Sequence, residues 1–338
     1  ASPRYIWTYI NPKATKIFKK IDNPILEQQF DDGQPIEPSY YAPIIPMVLV
    51  NGCKGIGTGF STTIPSYNPD EIISNIKNVL NGDKYKFMKP YWNGFKGKVT
   101  KIDKNNFEIS GNYTVNKKKN TVTITELPVG EWTSNYKAFL EKQLDKNKNF
   151  IDFKDNNTDT NVHFELKFKE LELSTFEKDF KINSKISTTN MHLYNSNGTI
   201  KKYSSIKEIL EEYCTHRLEL YGKRKEYQLD MLKYHLDLIN YKVKFILMVI
   251  DKKIKLNNKK KADIESKLVS FDFPKFGANK SDSNLTYNYL LGMPIYSLTY
   301  EKLEELKKQQ QEKQSEYDTL FKLSPKDIWI KELDELKN

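Results

Sequence analysis

The spacing of apolar side chains changes twice along the chain, which divides it into three stretches of different texture. Residues 1–66 are dense in proline, glycine and aromatics, with a short helix-like piece from Pro12 to Lys20 and an apolar run from Ala42 to Val50. Such a run, closed by glycines, reads as a buried strand or a tightly packed segment entering a turn. From 67 to 200 helical and strand periods alternate. Asn68-Pro69-Asp70-Glu71 supplies an N-cap, a proline at the first helical position and acids in the first turn. Ile72, Ile73, Ile76, Val79 and Leu80 follow at helical spacing, and Gly82 stops the helix. Val99 to Ile109 and Thr121 to Ile124 alternate as strands, with N-K-K-K-N at 116–120 as a turn between them. A helix from about Ser134 to Leu144 and a strand from Asn161 to Phe168 complete an α+β stretch.

The third stretch, 201–338, is mostly long helices. Ser205-Ile206-Lys207-Glu208 is a capping box. A stripe through Ile206, Ile209, Leu210, Tyr213, Leu220, Tyr227, Met231 and Leu238 carries one helix to roughly Ile250, with Gly222 its one weak point. About 45 residues at ~1.5 Å per residue is longer than a compact domain needs. A second segment, Tyr300 to Leu323, has the polar middle K-K-Q-Q-Q-E-K-Q at 307–314 and must pack on a partner. The first helix is the obvious one, giving an antiparallel pair with residues 255–298 as a globule at its far end. No internal repeat is visible.

Composition sharpens this picture. Two cysteines, Cys53 and Cys214, make neither a disulfide framework nor a four-cysteine metal site, which fits a reducing intracellular compartment. There is no run of apolar residues long enough to span a membrane, and the N-terminus lacks the pattern of a secretory signal. The formal net charge is +10, and 51 of the 54 basic residues are lysine. That bias resembles the imprint of an AT-rich coding genome. The three arginines, Arg4, Arg217 and Arg224, are therefore the basic positions to weigh first, arginine being the better bidentate partner for phosphate or carboxylate. Residues 1–70 are neutral, with six basic and six acidic side chains, while 71–200 and 201–338 carry about +5 each. Such a spread fits a nucleic-acid partner or simply a solvated lysine-rich surface.

Four motifs carry candidate chemistry. In Ser2-Pro3-Arg4-Tyr5 a phenol, a poor nucleophile unless assisted, stands beside an arginine able to stabilise charge developing at a phosphoryl centre. Taken alone, an Arg-Tyr dipeptide is far more often surface filler. N-G-C-K-G-I-G-T-G-F-S at 51–61 is neither a Walker A loop nor a dinucleotide-binding fingerprint. Its odd feature is Ile56, an apolar residue exposed at the centre of a flexible glycine loop, which suits a wedge between base steps; a plain turn is the bland reading. E-L-P-V-G-E-W-T at 126–133 places Trp132 after a Pro-Gly loop, as a ligand contact or as packing. F-K-I-N-S-K-I-S-T-T-N at 180–190 reads as a strand whose open face could track phosphates, or as a solvated edge. The four histidines, His163, His192, His216 and His235, show no metal spacing, and no D-x-D, hydrolase-elbow or kinase pattern is present. An autonomous hydrolase or metalloenzyme is not expected.

Together the motifs resemble one family. A-S-P-R-Y-I at 1–6, I-E-P-S-Y-Y-A-P-I-I-P-M-V-L-V-N-G at 36–52, G-I-G-T-G-F-S at 55–61 and I-T-E-L-P-V at 124–129 are similar to the breakage–reunion region of eukaryotic-type DNA topoisomerase II, a type IIA enzyme. S-T-T-N-M-H-L at 187–193, I-K-K-Y at 200–203, Y-N-Y-L-L-G-M-P-I at 287–295 and L-S-P-K-D-I-W at 323–329 continue the set in order. The gate sequence and S-T-T-N-M-H-L favour the eukaryotic type over the bacterial gyrase or topoisomerase IV. Two departures stand out: Gly130-Glu131 makes the loop before Trp132 acidic, and Cys53-Lys54 is particular to this sequence.

The resemblance implies an α+β fold of three parts: the end of a winged-helix domain with the nucleophilic tyrosine at 1–45, an α/β tower with a DNA-bending loop at 46–200, and a long antiparallel coiled coil with a small helical dimerisation gate at 201–338. It implies Tyr5 as nucleophile on a DNA phosphodiester, Arg4 as the stabiliser of the transition state, and Ile56 as the wedge. Trp132, Lys181, Ser184, Lys185, Thr188 and Asn190 fall where the tower contacts DNA. Double-stranded DNA, a second copy of the chain, and the metal-binding and ATPase parts of the same enzyme are the implied partners, with no membrane. Mg2+ and ATP would serve the full enzyme through domains not in this chain, which reads as a piece of a longer polypeptide unable to cleave DNA alone. A nuclear enzyme is implied, or a cytoplasmic one if the source is a large DNA virus. The competing class is a non-catalytic, DNA-organising coiled-coil dimer.

Overall fold

The computed structural model describes residues 3–57, 59–277, 279–280 and 282–337. Ala1 and Ser2 of the first motif and Thr58 of the glycine loop lie outside the described residues. The chain is mixed α/β, and its contacts separate two compact units, 1–42 with 217–336 and 43–216.

In the first unit a 3-10 turn at Pro3–Tyr5 precedes helix α1 (Pro12–Ile17), which is capped by Asn11 and has its proline at the first position. A second 3-10 turn (Lys20–Ile25) and the antiparallel hairpin β1–β2 (Gln28–Asp31, Gln34–Pro38) follow. The second unit begins with an unexpected helix. The apolar run ending at Val50 is not a strand: α2 covers Met47–Asn51, and Ile44, Ile45 and Leu49 are buried. Pro43 and Pro46 account for this, since neither can donate to a ladder and Pro46 caps the helix instead.

Beyond the hairpin β3–β4 (Cys53–Gly57, Phe60–Ile64), α3 spans Pro69–Asn81 between an Asn68 side-chain cap and Gly82, as its sequence signals predict. Val99 to Ile109 forms two strands. β5 (Lys98–Lys101) and β6 (Asn106–Ser110) turn at Asp103, whose carboxylate accepts the N–H groups of Asn105 and Asn106. β7 (Asn112–Asn116) and β8 (Thr121–Glu126) flank the expected lysine turn. α4 (Thr133–Lys146), β9 (Phe150–Asp155), β10 (Phe164–Phe168), α5 (Phe176–Asp179), β11 (Asn183–Ser187), β12 (His192–Tyr194) and β13 (Ile200–Lys202) complete the unit's strands. All the pairings are antiparallel, in a four-stranded sheet of order β7-β8-β10-β9, a three-stranded sheet β11-β6-β5 and the two-stranded β12-β13. α4 lies over the larger sheet with Tyr136 and Leu140 fully buried among Phe150, Phe164, Phe168 and Phe180. Burial pushes the Tyr136 phenol well above its ordinary pKa, and the neutral hydroxyl donates to Phe180 O at 2.6 Å.

α6 spans Ile206–Ile250, the length its stripe predicts. Ser205 Oγ accepts the Glu208 N–H at 3.2 Å, but the Glu208 carboxylate reaches back to the N–H and hydroxyl of Ser204, one residue earlier than in a standard capping box. In the first unit α7 (Lys261–Ser270) and α8 (Asn288–Leu291) build a small core around Phe245, Leu268, Phe273 and Leu290. α9 (Tyr300–Lys322) runs antiparallel to α6. Leu303 and Leu306 pack on Val243 and Ile246, Gln310 donates to Asn240 Oδ1, and Lys225 Nζ donates to Phe321 O. α10 (Pro325–Lys337) closes the unit; Ser324 Oγ accepts the Asp327 N–H at 3.1 Å, and the Asp327 carboxylate bonds back to Ser324.

Two of the three arginines are structural. Arg217 and Arg224, seven residues apart, share one face of α6 and are each 1% exposed. Asp22, 2% exposed, takes Arg217 Nη2 at 2.6 Å and Arg224 Nη1 at 3.3 Å, while Glu332 on α10 takes Arg224 Nη2 at 2.7 Å. Between them the Tyr221 ring meets both guanidinium groups, at 4.4 and 4.3 Å, and stacks on Trp329 at 5.3 Å. Burial raises the Tyr221 phenol well above its usual pKa, so it stays neutral and donates to Glu332 at 2.6 Å. Removing one partner leaves the others charged and buried. Arg224→Ala is therefore expected to cost about 3–5 kcal/mol, read from denaturant unfolding of the whole chain. A cost under about 1 kcal/mol would contradict a buried network.

Candidate nucleic-acid interface

Tyr5 lies on the 3-10 turn at 75% exposure, with the Arg4 guanidinium carbon 5.8 Å from its ring centroid. The pair offers an accessible phenol beside a permanent positive charge. Both residues belong to the first unit; the other candidate residues belong to the second.

Ile56 is not on a flexible loop. It sits within β3, paired across the hairpin with Ser61, and is 82% exposed. Two glycines make this geometry. Gly59 adopts φ +78° at the turn. Gly52, at φ +69°, is approached so closely by the strand returning from the hairpin that a Cβ would lie 2.8 Å from Ile64 O. Two strands alone are marginal in water, and the hairpin is held from outside. Asn190 O accepts the Thr63 N–H at 2.7 Å, Asn190 Nδ2 donates to Ser61 Oγ at 2.8 Å, and the His192 N–H donates to Thr62 Oγ1 at 3.2 Å. The His192 ring lies 5.5 Å from that of Phe60.

Trp132 holds the N-cap position of α4, after Gly130 at φ +91°, and its carbonyl accepts the Tyr136 N–H at 2.9 Å. The backbone is fixed while the indole remains 71% exposed. The strand expected over 181–190 is shorter, being β11 only at 183–187. Lys181 precedes it in a left-handed turn (φ +51°) with its ammonium 4.5 Å from the Phe139 ring centroid. Ser184 is half-buried and Lys185 exposed. Thr188 is buried, its hydroxyl donating to Asn105 O at 3.1 Å, so it is not part of an open face.

Lys181, Ser184, Lys185 and Asn190 converge with Lys54 and Glu131 on one groove of about 820 Å3 between the foot of the hairpin and β11. Ile56, Trp132 and Thr188 lie outside it. Three lysines against one carboxylate make the groove cationic, which suits an anionic backbone more than a small neutral ligand. Among the described residues no group of three or more His, Cys, Asp or Glu side chains is placed to hold a metal ion. Nor is any described helix long and apolar enough to cross a membrane. Sequence reasoning misses His192 because it lacks metal spacing; its place inside S-T-T-N-M-H-L is the available signal.

The chain matches, over residues 1–334, the family described as the A-type subunit of DNA gyrase/topoisomerase IV. It belongs to that family. Among similar proteins, DNA topoisomerase 2 of Penicillium chrysogenum is 38% identical over 369 residues, covering 100% of this chain and 23% of that protein. DNA topoisomerase 2 of Saccharomyces cerevisiae is 36% identical, over 98% of this chain and 27% of that one. The chain thus spans about a quarter of the length of the curated relatives it matches. A crystal structure of the Plasmodium falciparum topoisomerase II DNA-binding, cleavage and re-ligation domain superposes with a TM-score of 0.85 at 35% identity, covering 100% of this chain and 49% of that one.

Cysteine chemistry probes the groove. Cys53 lines it and is half-buried, whereas Cys214 on α6 is buried and its thiol is pushed up to about 12 by that burial. The thiolate is the reactive form. Around pH 8 a disulfide reagent is expected to modify Cys53 alone in the native chain, and both thiols after denaturation. Equal native rates would contradict the burial of Cys214.

Proposed function

We propose that this chain provides the nucleophile and the DNA-bending surface of a type IIA DNA topoisomerase cleavage core. The observation that carries this reading is Tyr5, accessible and flanked by Arg4, in a chain whose family match runs over nearly its whole length. Tyr5 Oη attacks the phosphorus of a backbone diester. The P–O3′ bond breaks, leaving a 5′-phosphotyrosyl link; the phenol loses its proton and the departing 3′ oxygen gains one. Arg4 stabilises the negative charge that builds on the phosphoryl oxygens. The new diester stores the broken bond, so attack by the 3′ hydroxyl reseals the strand without a nucleotide.

In this reading residues 1–45 end a winged-helix domain, 46–200 form a tower and 201–338 a coiled coil with an exit gate through which two copies dimerise. Ile56 wedges into the duplex; Trp132, Lys181, Ser184 and Lys185 contact its backbone, and the groove adds Lys54. Thr188 and Asn190 act through the protein interior, since their polar groups are engaged with Asn105, Ser61 and Thr63. Mg2+ and ATP belong to the enzyme's other regions, and a nuclear location fits its eukaryotic-type relatives, with the cytoplasm the setting for an enzyme of a large DNA virus.

Trapping with labelled duplex, this chain being supplied with the family's metal-binding region, tests the nucleophile. Tyr5→Phe is expected to abolish the covalent adduct, and Arg4→Ala to lower its rate by about 10²–10³. An adduct that persists in Tyr5→Phe removes the assignment. DNA that is bound and bent with no adduct in the native protein favours the DNA-organising dimer. Ile56→Ala is expected to cut the bent fraction about tenfold, from the loss of one inserted apolar side chain, with little change in binding. Unchanged end-to-end distance in doubly labelled DNA would remove the wedge.

A further inference from the structure

The hairpin that presents Ile56 is tied most closely at Ser61, which lies directly opposite Ile56 in the register. Three groups meet there. Asn190 Nδ2 donates to Ser61 Oγ at 2.8 Å. His192 Nδ1 lies 3.0 Å from Ser61 O and 3.1 Å from Asn190 Oδ1. A backbone carbonyl only accepts, so Nδ1 must carry the hydrogen, and the amide orientation of Asn190, oxygen toward the ring, agrees. The tautomer thereby follows from the contacts: Nδ1 is the donor and Nε2 is left out of the brace.

We propose that His192, through Nδ1–H, and Asn190 are positioning residues that lock β4 at Ser61 and so hold Ile56 rigidly enough to kink a duplex. The inference rests on the wedge reading of Ile56 and extends it to two residues that need not touch DNA. A wedge works against the elastic and stacking resistance of the duplex. The apolar tip of a two-stranded hairpin would deflect under that load unless its partner strand were tied down. Four hydrogen-bond contacts converge on three consecutive residues of β4, Ser61, Thr62 and Thr63, all of them from Asn190 and His192. Thus the tie is made at the strand facing the wedge and leaves the wedge face open.

The two ring nitrogens can be told apart by substitution. His192→Asn keeps an amide donor near the position of Nδ1; His192→Gln moves it toward that of Nε2. In the assembled core with doubly labelled duplex, His192→Gln and Asn190→Ala are expected to lower the bent fraction about fivefold, the effect of one lost hydrogen bond, while His192→Asn stays within about twofold of native. Affinity for DNA and the thermal midpoint of the free protein stay near native in both His192 variants. In an Ile56→Ala background, His192→Gln is expected to cause no further loss, because there is no wedge left to support. Equal loss in His192→Asn and His192→Gln, or the reverse order, overturns the Nδ1 assignment in favour of a contact through Nε2. If Ile56→Ala lowers bending and His192→Gln does not, the brace alone is wrong. If Ile56→Ala leaves bending unchanged, the wedge reading fails and the inference falls with it.

Discussion

The first unit is organised around a network of four charges, three of them sealed from water. Asp22, from the 3-10 turn at Lys20–Ile25, faces two arginines seven residues apart on α6, and Glu332 from α10 closes the set. Each charge alone would be prohibitively costly to bury; together, with Tyr221 between the guanidinium groups, they are mutually compensated. Three segments far apart in sequence must therefore arrive together or not at all. That requirement selects one register of α6 against its neighbours, where apolar packing alone would tolerate sliding. A leucine can exchange partners at little cost, but a buried carboxylate cannot.

The second unit solves a different problem, that of keeping an apolar side chain in water. Ile56 gains nothing from its exposure, and a two-stranded ribbon has little stability of its own. The cost is offset at a distance by the phenylalanine-rich core under the four-stranded sheet and by ties from Asn190 and His192 to β4. Rigidity here comes from hydrogen bonds to the strand that does not carry Ile56.

Much of this was legible in the sequence because it is local. Asn68, Pro69 and Gly82 mark both ends of α3, and the apolar stripe gives the full extent of α6. The antiparallel partner of α6 followed from the polarity of 307–314, which could not stand alone. What escaped was non-local. The apolar run before Asn51 carries strand composition, and its prolines turned it into a helix. The glycine-rich stretch around Ile56 read as a flexible loop because cross-strand pairing and outside bracing leave no periodic trace. Arg217 and Arg224 were marked by their rarity, which was a sound signal with the wrong destination: their partners, Asp22 and Glu332, lie roughly a hundred to two hundred residues away. Thr188 and Asn190 sit in a motif whose residue types suit phosphate contacts, yet their polar atoms are occupied internally.

One division of labour has a wider consequence. No lysine among the described residues is buried, and the two arginines that hold the interior together are beyond the reach of solvent. The outer charge and the inner scaffold are thus carried by chemically distinct cations. Acylating lysine ammonium groups would erase surface charge one unit at a time, and ten such events would bring the formal net charge of +10 to zero. None would touch the Asp22–Arg217–Arg224–Glu332 network. The surface charge of this chain can therefore be reduced by covalent modification of lysines while the buried arginine network is left untouched.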